Sequence, residues 1–232
     1  MHYHHIGIQS VDQTQQQKHI AALGMSISDY RNNPYGIAWL RFDTDSNLPE
    51  VIKNTSYIAF VVDDLAQAIG DHKVLVQPNE LNSLTNVSDN TLSAFIEVDD
   101  APIQLIQRNE SVTSEMEQFS DLKGYHSYWI PHQNERSNES HLAELKMYVD
   151  NPENEFKIGW VKYQADAPYH NTVKQFPHLA FEVDNIEEKV AGQTIIIEPN
   201  SPTAGLIVGF IEICGAPVEF IQVDRNILKD GI

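Results

Sequence analysis

The chain carries one pattern twice. The stretch Phe176-Pro177-His178-Leu179-Ala180-Phe181-Glu182-Val183-Asp184 has a paler copy, Ser56-Tyr57-Ile58-Ala59-Phe60-Val61-Val62-Asp63-Asp64, with His178 and Tyr57 in equivalent places 121 residues apart. At the same offset Trp39 in Gly36-Ile37-Ala38-Trp39-Leu40-Arg41-Phe42 matches Trp160 in Lys157-Ile158-Gly159-Trp160-Val161-Lys162-Tyr163, and Gln77-Pro78-Asn79 matches Glu198-Pro199-Asn200. The offset then falls to 115, pairing Ala94-Phe95-Ile96-Glu97 with Gly209-Phe210-Ile211-Glu212 and Ala101-Pro102-Ile103-Gln104-Leu105-Ile106-Gln107 with Ala216-Pro217-Val218-Glu219-Phe220-Ile221-Gln222. The first copy therefore holds six extra residues, in a polar loop around 82–90. Two copies of long period mean two homologous domains, because a solenoid repeats shorter units more often.

The domains so defined are residues 1–108 and 124–232, with 109–123 as a polar linker held to the surface by Met116 and Phe119. Each is large enough for its own core. A lone cysteine, Cys214, excludes an internal disulfide framework, and the N-terminus shows no charged-then-apolar leader, so the expectation is a cytoplasmic protein. Apolar runs such as Thr194-Ile195-Ile196-Ile197 are strand-length and too short to cross a bilayer. The net charge of −18 is spread as −7 over 1–108, −3 over 109–123 and −8 over 124–232, so there is no basic face for a phosphate backbone. Such a field steers cationic small molecules or metal ions inward, or serves only solubility.

Hydrophobic patterning predicts the same element order in both copies. In the first, a strand opens at His4-His5-Ile6-Gly7-Ile8, a helix spans 13–23 and stops at Gly24, and strands follow at 25–30, 37–42 and 57–62. An irregular connection fills 43–54, Asp63-Asp64 caps a short helix to Ile69, and strands at 74–77, 93–98 and 102–107 complete the domain. In the second, strands at 125–130, 146–149, 158–163, 177–183, 194–197, 206–213 and 217–223 frame helices at 140–145 and 186–191. Alternation along 177–183 puts Leu179, Phe181 and Val183 under a helix and His178, Ala180 and Glu182 on the opposite face. Glu219 joins that second face, which is the concave one. A polar concave sheet surface is a site candidate.

The repeated β-α-β-β-β module, the opening His4-His5-Ile6-Gly7-Ile8, the strand at His178 and the closing strand at Ala216-Pro217-Val218-Glu219 together resemble the vicinal oxygen chelate superfamily. That group includes glyoxalase I, methylmalonyl-CoA epimerase, extradiol dioxygenases and the bleomycin and fosfomycin resistance proteins. The resemblance covers nearly the whole chain, twice. It implies an α+β fold in which tandem βαβββ modules form two glyoxalase-like incomplete barrels. It also implies a cleft holding a small molecule, with a divalent metal ion (Zn, Fe, Mn or Ni) on residues from the first and last strands of the modules.

Carried over residue by residue, the ligand pattern is incomplete. The first-strand His corresponds to His5 and to Ser127; the ligand closing the first module, often Glu, to Ala38 and Gly159; the His opening the second module to Tyr57 and His178; and the final-strand Glu to Gln104 and Glu219. A metal in the second domain would sit on His178 and Glu219, with His126 as third ligand. His126 is one residue out of phase on a regular strand, so a β-bulge would have to turn it inward, or His132 or His170 would enter from loops. Metal and no metal both stay open.

Plainer roles exist for the same residues. His178 and Glu219 form a satisfied polar pair, with Tyr57 and Gln104 its neutral counterpart, and the cluster His2, His4 and His5 is a polar strand end. Trp39 and Trp160 are core or cleft wall; with Tyr57, Gln104 and Glu182 they are the candidates for touching a small molecule. Cys214 reads as buried and inert. Function then divides into a metal-dependent lyase, isomerase or dioxygenase working in the second domain, and a metal-free protein that sequesters a small, cationic compound. Fusion of two such domains implies a monomeric pseudo-dimer, with a homodimer as the alternative.

Overall fold

A computed structural model describes residues 1–10, 17–78, 92–108 and 124–228. The six-residue insertion and the linker expected from the sequence lie outside the described residues. The chain divides into two compact units, Met1–Asp121 and Leu122–Ile232.

Unit 1 contains β1 (His2–Gln9), β2 (Gln17–Ile20), β3 (Met25–Ser28), β4 (Ile37–Phe42), helix α1 (Glu50–Asn54), β5 (Tyr57–Val62), α2 (Leu65–Ile69), β6 (Lys73–Val76), β7 (Ser93–Val98) and β8 (Ala101–Gln107). Its eight strands form one sheet in the order β2-β3-β4-β1-β5-β8-β7-β6. Unit 2 contains β9 (Tyr125–Pro131), β10 (Ser140–Leu142), β11 (Met147–Asp150), β12 (Ile158–Tyr163), α3 (Asn171–Gln175), β13 (His178–Glu182), α4 (Ile186–Val190), β14 (Thr194–Thr203), β15 (Leu206–Ile213) and β16 (Ala216–Val223). Its order, β10-β11-β12-β9-β13-β16-β15-β14, is the same arrangement. In each unit the first and fourth strands run parallel, as do the fifth and eighth, and the two modules join where the first strand meets the fifth antiparallel. This is the tandem α+β fold expected, two curled sheets like the half-barrels of the vicinal oxygen chelate fold.

Equivalent side chains hold equivalent corners. The Tyr3 hydroxyl donates to the Tyr35 carbonyl at 2.6 Å, and the Tyr125 hydroxyl to the Phe156 carbonyl at 2.7 Å. Asn33 braces the turn before β4 by donating to the Ile37 carbonyl and accepting the Ile37 N–H; Asn154 does the same for Ile158 before β12. Gln107 and Gln222 accept the first N–H of α2 and of α4, while Asp64 and Asn185 cap those helices from the preceding residue. Leu65 and Ile186 are buried beneath, so each helix covers the outer, apolar face of its sheet.

Several expectations are corrected. Residues 17–23 are not helical: Gln17–Ile20 pairs with β3, and Ala21–Leu23 makes one 3-10 turn that Gly24 ends in the left-handed region; residues 13–16 lie outside the described segments. Residues 140–145 behave alike, as β10 followed by the 3-10 turn Ala143–Leu145. In both places an available sheet edge outweighs local helix preference, since short helices gain little on their own. The connection at 43–54 holds α1, and its counterpart holds α3; five residues are too few to show a helical period. Strand β14 runs to Thr203 through Pro199 and Pro202, which an edge strand tolerates because no neighbour needs their missing N–H. Cys214 is exposed, not buried: it and Gly215 form the tight turn of the β15–β16 hairpin, both at positive φ.

Candidate functional site: the cleft of unit 2

The parallel pairing of β13 with β16 sets Ala180 beside Glu219, and period-2 alternation then points His178 and Glu219 to the same side. His178 Nε2 lies 3.5 Å from Glu219 Oε2, longer than a well-formed hydrogen bond, with the side chains 5% and 12% exposed. The Phe210 ring meets the imidazole edge to face at 5.1 Å, and among the described residues the buried His178 Nδ1 has no hydrogen-bond partner.

This pair lies at the wall of a cavity of about 280 Å³. Leu142 from one edge strand and Ile197 from the other both line it, which shows that the sheet curls around it. Most of the lining is apolar: Leu145, Met147, Val149, Val161 and Phe210 are typical. The polar groups gather about Glu219. Burial first, and then the Glu219 carboxylate, push the Tyr163 and Tyr169 phenols up, so both stay protonated donors. Burial lowers the pKa of His126, and the charges of Glu219 and Glu182 only partly oppose that.

His126 reaches the cleft through a bulge. The β9–β13 register runs Ser127 against Ala180 and then Tyr125 against Phe181, so His126 is the extra residue and turns inward with its neighbours. Unit 1 repeats the bulge at His4. Ser127, where the superfamily pattern has histidine, is fully buried; it accepts the Trp129 indole N–H at 2.9 Å and bonds His126 Nδ1 at 2.9 Å.

The cleft opens next to a wider recess of about 860 Å³ with which it shares His126, Trp129 and Asn151. Glu182 lines that recess, where Arg225 clamps it with two hydrogen bonds of 2.5 and 2.8 Å.

The remaining candidates lie elsewhere. Trp160 alternates with Val161 and Tyr163, which line the cleft, so it occupies the opposite face, under the Arg136 guanidinium at 4.4 Å. Trp39 is likewise on the face opposite Ala38 and Leu40. His132 is engaged with Glu139 at 3.2 Å, and His170 caps α3. In unit 1, His5 is buried with Nδ1 on His4 at 2.7 Å, Nε2 on the Tyr57 hydroxyl at 3.2 Å, and its ring stacked on Tyr30. Both nitrogens are thus engaged, and burial lowers the pKa of His5 well below that of a free imidazole. Tyr57 therefore pairs with His5, not with Gln104, whose buried amide has no partner among the described residues. Tyr163 and Tyr169 were not anticipated, although at the 121-residue offset they replace Phe42 and Leu48, each gaining a hydroxyl.

Among the described residues no three His, Cys, Asp or Glu side chains stand close enough to share a metal ion. His126, although turned into the same cleft, does not complete such a group with His178 and Glu219, and Ser127 and Gly159 fill the other positions of the pattern.

No protein-family model and no curated protein matches the chain. Among solved structures, a hypothetical protein from Bacillus halodurans C-125 is 16% identical with a TM-score of 0.21, covering 72% of this chain and 92% of its own. A triple mutant of 4-hydroxymandelate synthase from Streptomyces coelicolor is 12% identical with a TM-score of 0.36, covering 96% of this chain and 85% of its own. The fold assignment rests on this chain's own strand order and register. Among the described residues no helix is long and apolar enough to cross a membrane.

Proposed function

We propose that the cleft of unit 2 binds a small molecule without a metal ion, as the drug-sequestering members of the superfamily it resembles do. One observation carries this reading: the buried His178–Glu219 pair faces an apolar cavity of about 280 Å³ instead of being packed over. That volume lies near the lower end of the roughly 300–1,000 Å³ of ordinary ligand sites, and the adjoining recess extends it. A few convergent polar groups in an apolar wall are what fix a ligand's orientation. A divalent-metal lyase, isomerase or dioxygenase would need a third protein donor beside these two.

The test is a ligand-observed NMR screen of small amphipathic compounds on the intact chain, with metal content measured on the same preparation. His178→Ala is expected to weaken binding, and His5→Ala to leave it unchanged. Binding lost with His5→Ala but kept with His178→Ala would place the site in the wrong unit, and a stoichiometric transition metal that disappears in His178→Ala would overturn the metal-free reading.

A further inference from the structure

The carboxylates of unit 2 differ in how their charge is met. Glu182 is paired with Arg225, Glu139 with Lys162, Asp150 with Arg136 and Asp166 with Lys146. Glu219 is met differently. It is more buried than Glu182 or Asp166, yet among the described residues no Lys or Arg pairs with it, and its nearest ionisable neighbour is the His178 imidazole 3.5 Å away. A carboxylate kept away from water without a cation or a full set of donors is costly, so its place in a cavity points to a charge brought by the ligand.

The surrounding walls suit one kind of charge. Trp129, Tyr163, Tyr169 and Phe210 all line the same cavity, with Tyr163 and Tyr169 tilted at 56° and 5.1 Å between ring centres. Aromatic rings attract an organic cation through their negative faces, and most strongly where water is excluded. The chain's net charge of −18 adds a long-range attraction of the same sign.

We infer that the ligand of this cleft is an organic ammonium with an apolar body, its cationic head set against Glu219 among the rings of Trp129, Tyr163, Tyr169 and Phe210. This rests on the cleft being a binding site, and the two ideas fail in different ways.

Three probes share one phenylalkyl tail and differ in the head: 4-phenylbutylamine, 4-phenylbutanol and 4-phenylbutyrate. Calorimetry on the intact chain at neutral pH, where the amine is protonated, is expected to rank amine over alcohol by about tenfold or more, with the carboxylate weakest. Glu219→Gln is expected to bring the amine down to the alcohol. Amine and alcohol binding the wild-type chain equally would overturn this inference and leave the cleft intact; none of the three binding would overturn the cleft as well. The wild-type ranking needs no variant, so it decides even if Glu219→Gln fails to fold.

Discussion

One row of residues crosses three strands in each unit, and the two rows are filled in opposite ways. In unit 1 it is Gly7, Ala38 and Tyr57; in unit 2 it is Trp129, Gly159 and His178. Tyr57 lies over Gly7 so closely that a Cβ there would stand 2.3 Å from its ring. Trp129 lies over Gly159, where a Cβ would stand 2.6 Å from the indole. The same backbone thus takes its bulk from the fifth strand in one copy and from the first in the other. Placing the bulk on β9 leaves the β13 position to a smaller, polar side chain facing open space. Gln104, Phe42 and Leu48 become Glu219, Tyr163 and Tyr169 around it. The floor of unit 1 is filled by packing, whereas that of unit 2 borders an open cavity.

The contrast is best broken by truncation. Tyr57→Ala should destabilise the protein by roughly 3–5 kcal/mol, as expected for a fully buried aromatic side chain, while His178→Ala should change stability by less than about 1 kcal/mol because its Nδ1 is already unpartnered. Urea unfolding of both variants measures this, and equal losses would erase the distinction.

Acid sharpens the comparison. The folded pKa of His5 is depressed by burial and then by His4, so it is neutral in the fold, while the unfolded chain takes up a proton below about pH 6.5. Stability is therefore full above that value and is lost as pH falls toward the folded pKa. A melting series between pH 7.5 and 5 (roughly the window set by the free imidazole) should show a drop that His5→Asn reduces. His126 is depressed too but only part-buried, so His126→Asn should flatten the curve less. A larger effect from His126 would reverse the assignment of the buried histidine pair to structure.

The smallest effect lies at the recess. Arg225 is 68% exposed, so Arg225→Ala should alter stability by less than about 1 kcal/mol. It should still raise the Glu182 pKa, which Arg225 holds down, and an NMR titration of that carboxyl would show no change if the clamp is a surface accident.

The two-copy, two-module fold and the facing of His178 and Glu219 were legible because a period of 2 and a doubled sequence constrain each other. Over residues 17–23 and 140–145 the expected helices failed, because polar edge strands look like amphipathic turns and only the neighbouring strand decides. Trp160 was legible in principle: alternation with Val161 and Gly159 already places it on the outer face. His126 was not, because a bulge depends on how two strands meet, which residue types leave open. The hydroxyls of Tyr163 and Tyr169 were written in the sequence as differences between copies, and comparing only the residues of the metal pattern hid them.

The reciprocal fit of the two rows also restricts the order in which one could have been converted into the other. Placing Trp at Gly7 while Tyr57 remains forces two rings into one volume, and a tightly packed interior resists even small additions. Exchanging Tyr57 for His first removes bulk and leaves a hole, a loss that a stable fold survives. The passable route from either row to the other therefore runs through a form with both positions small.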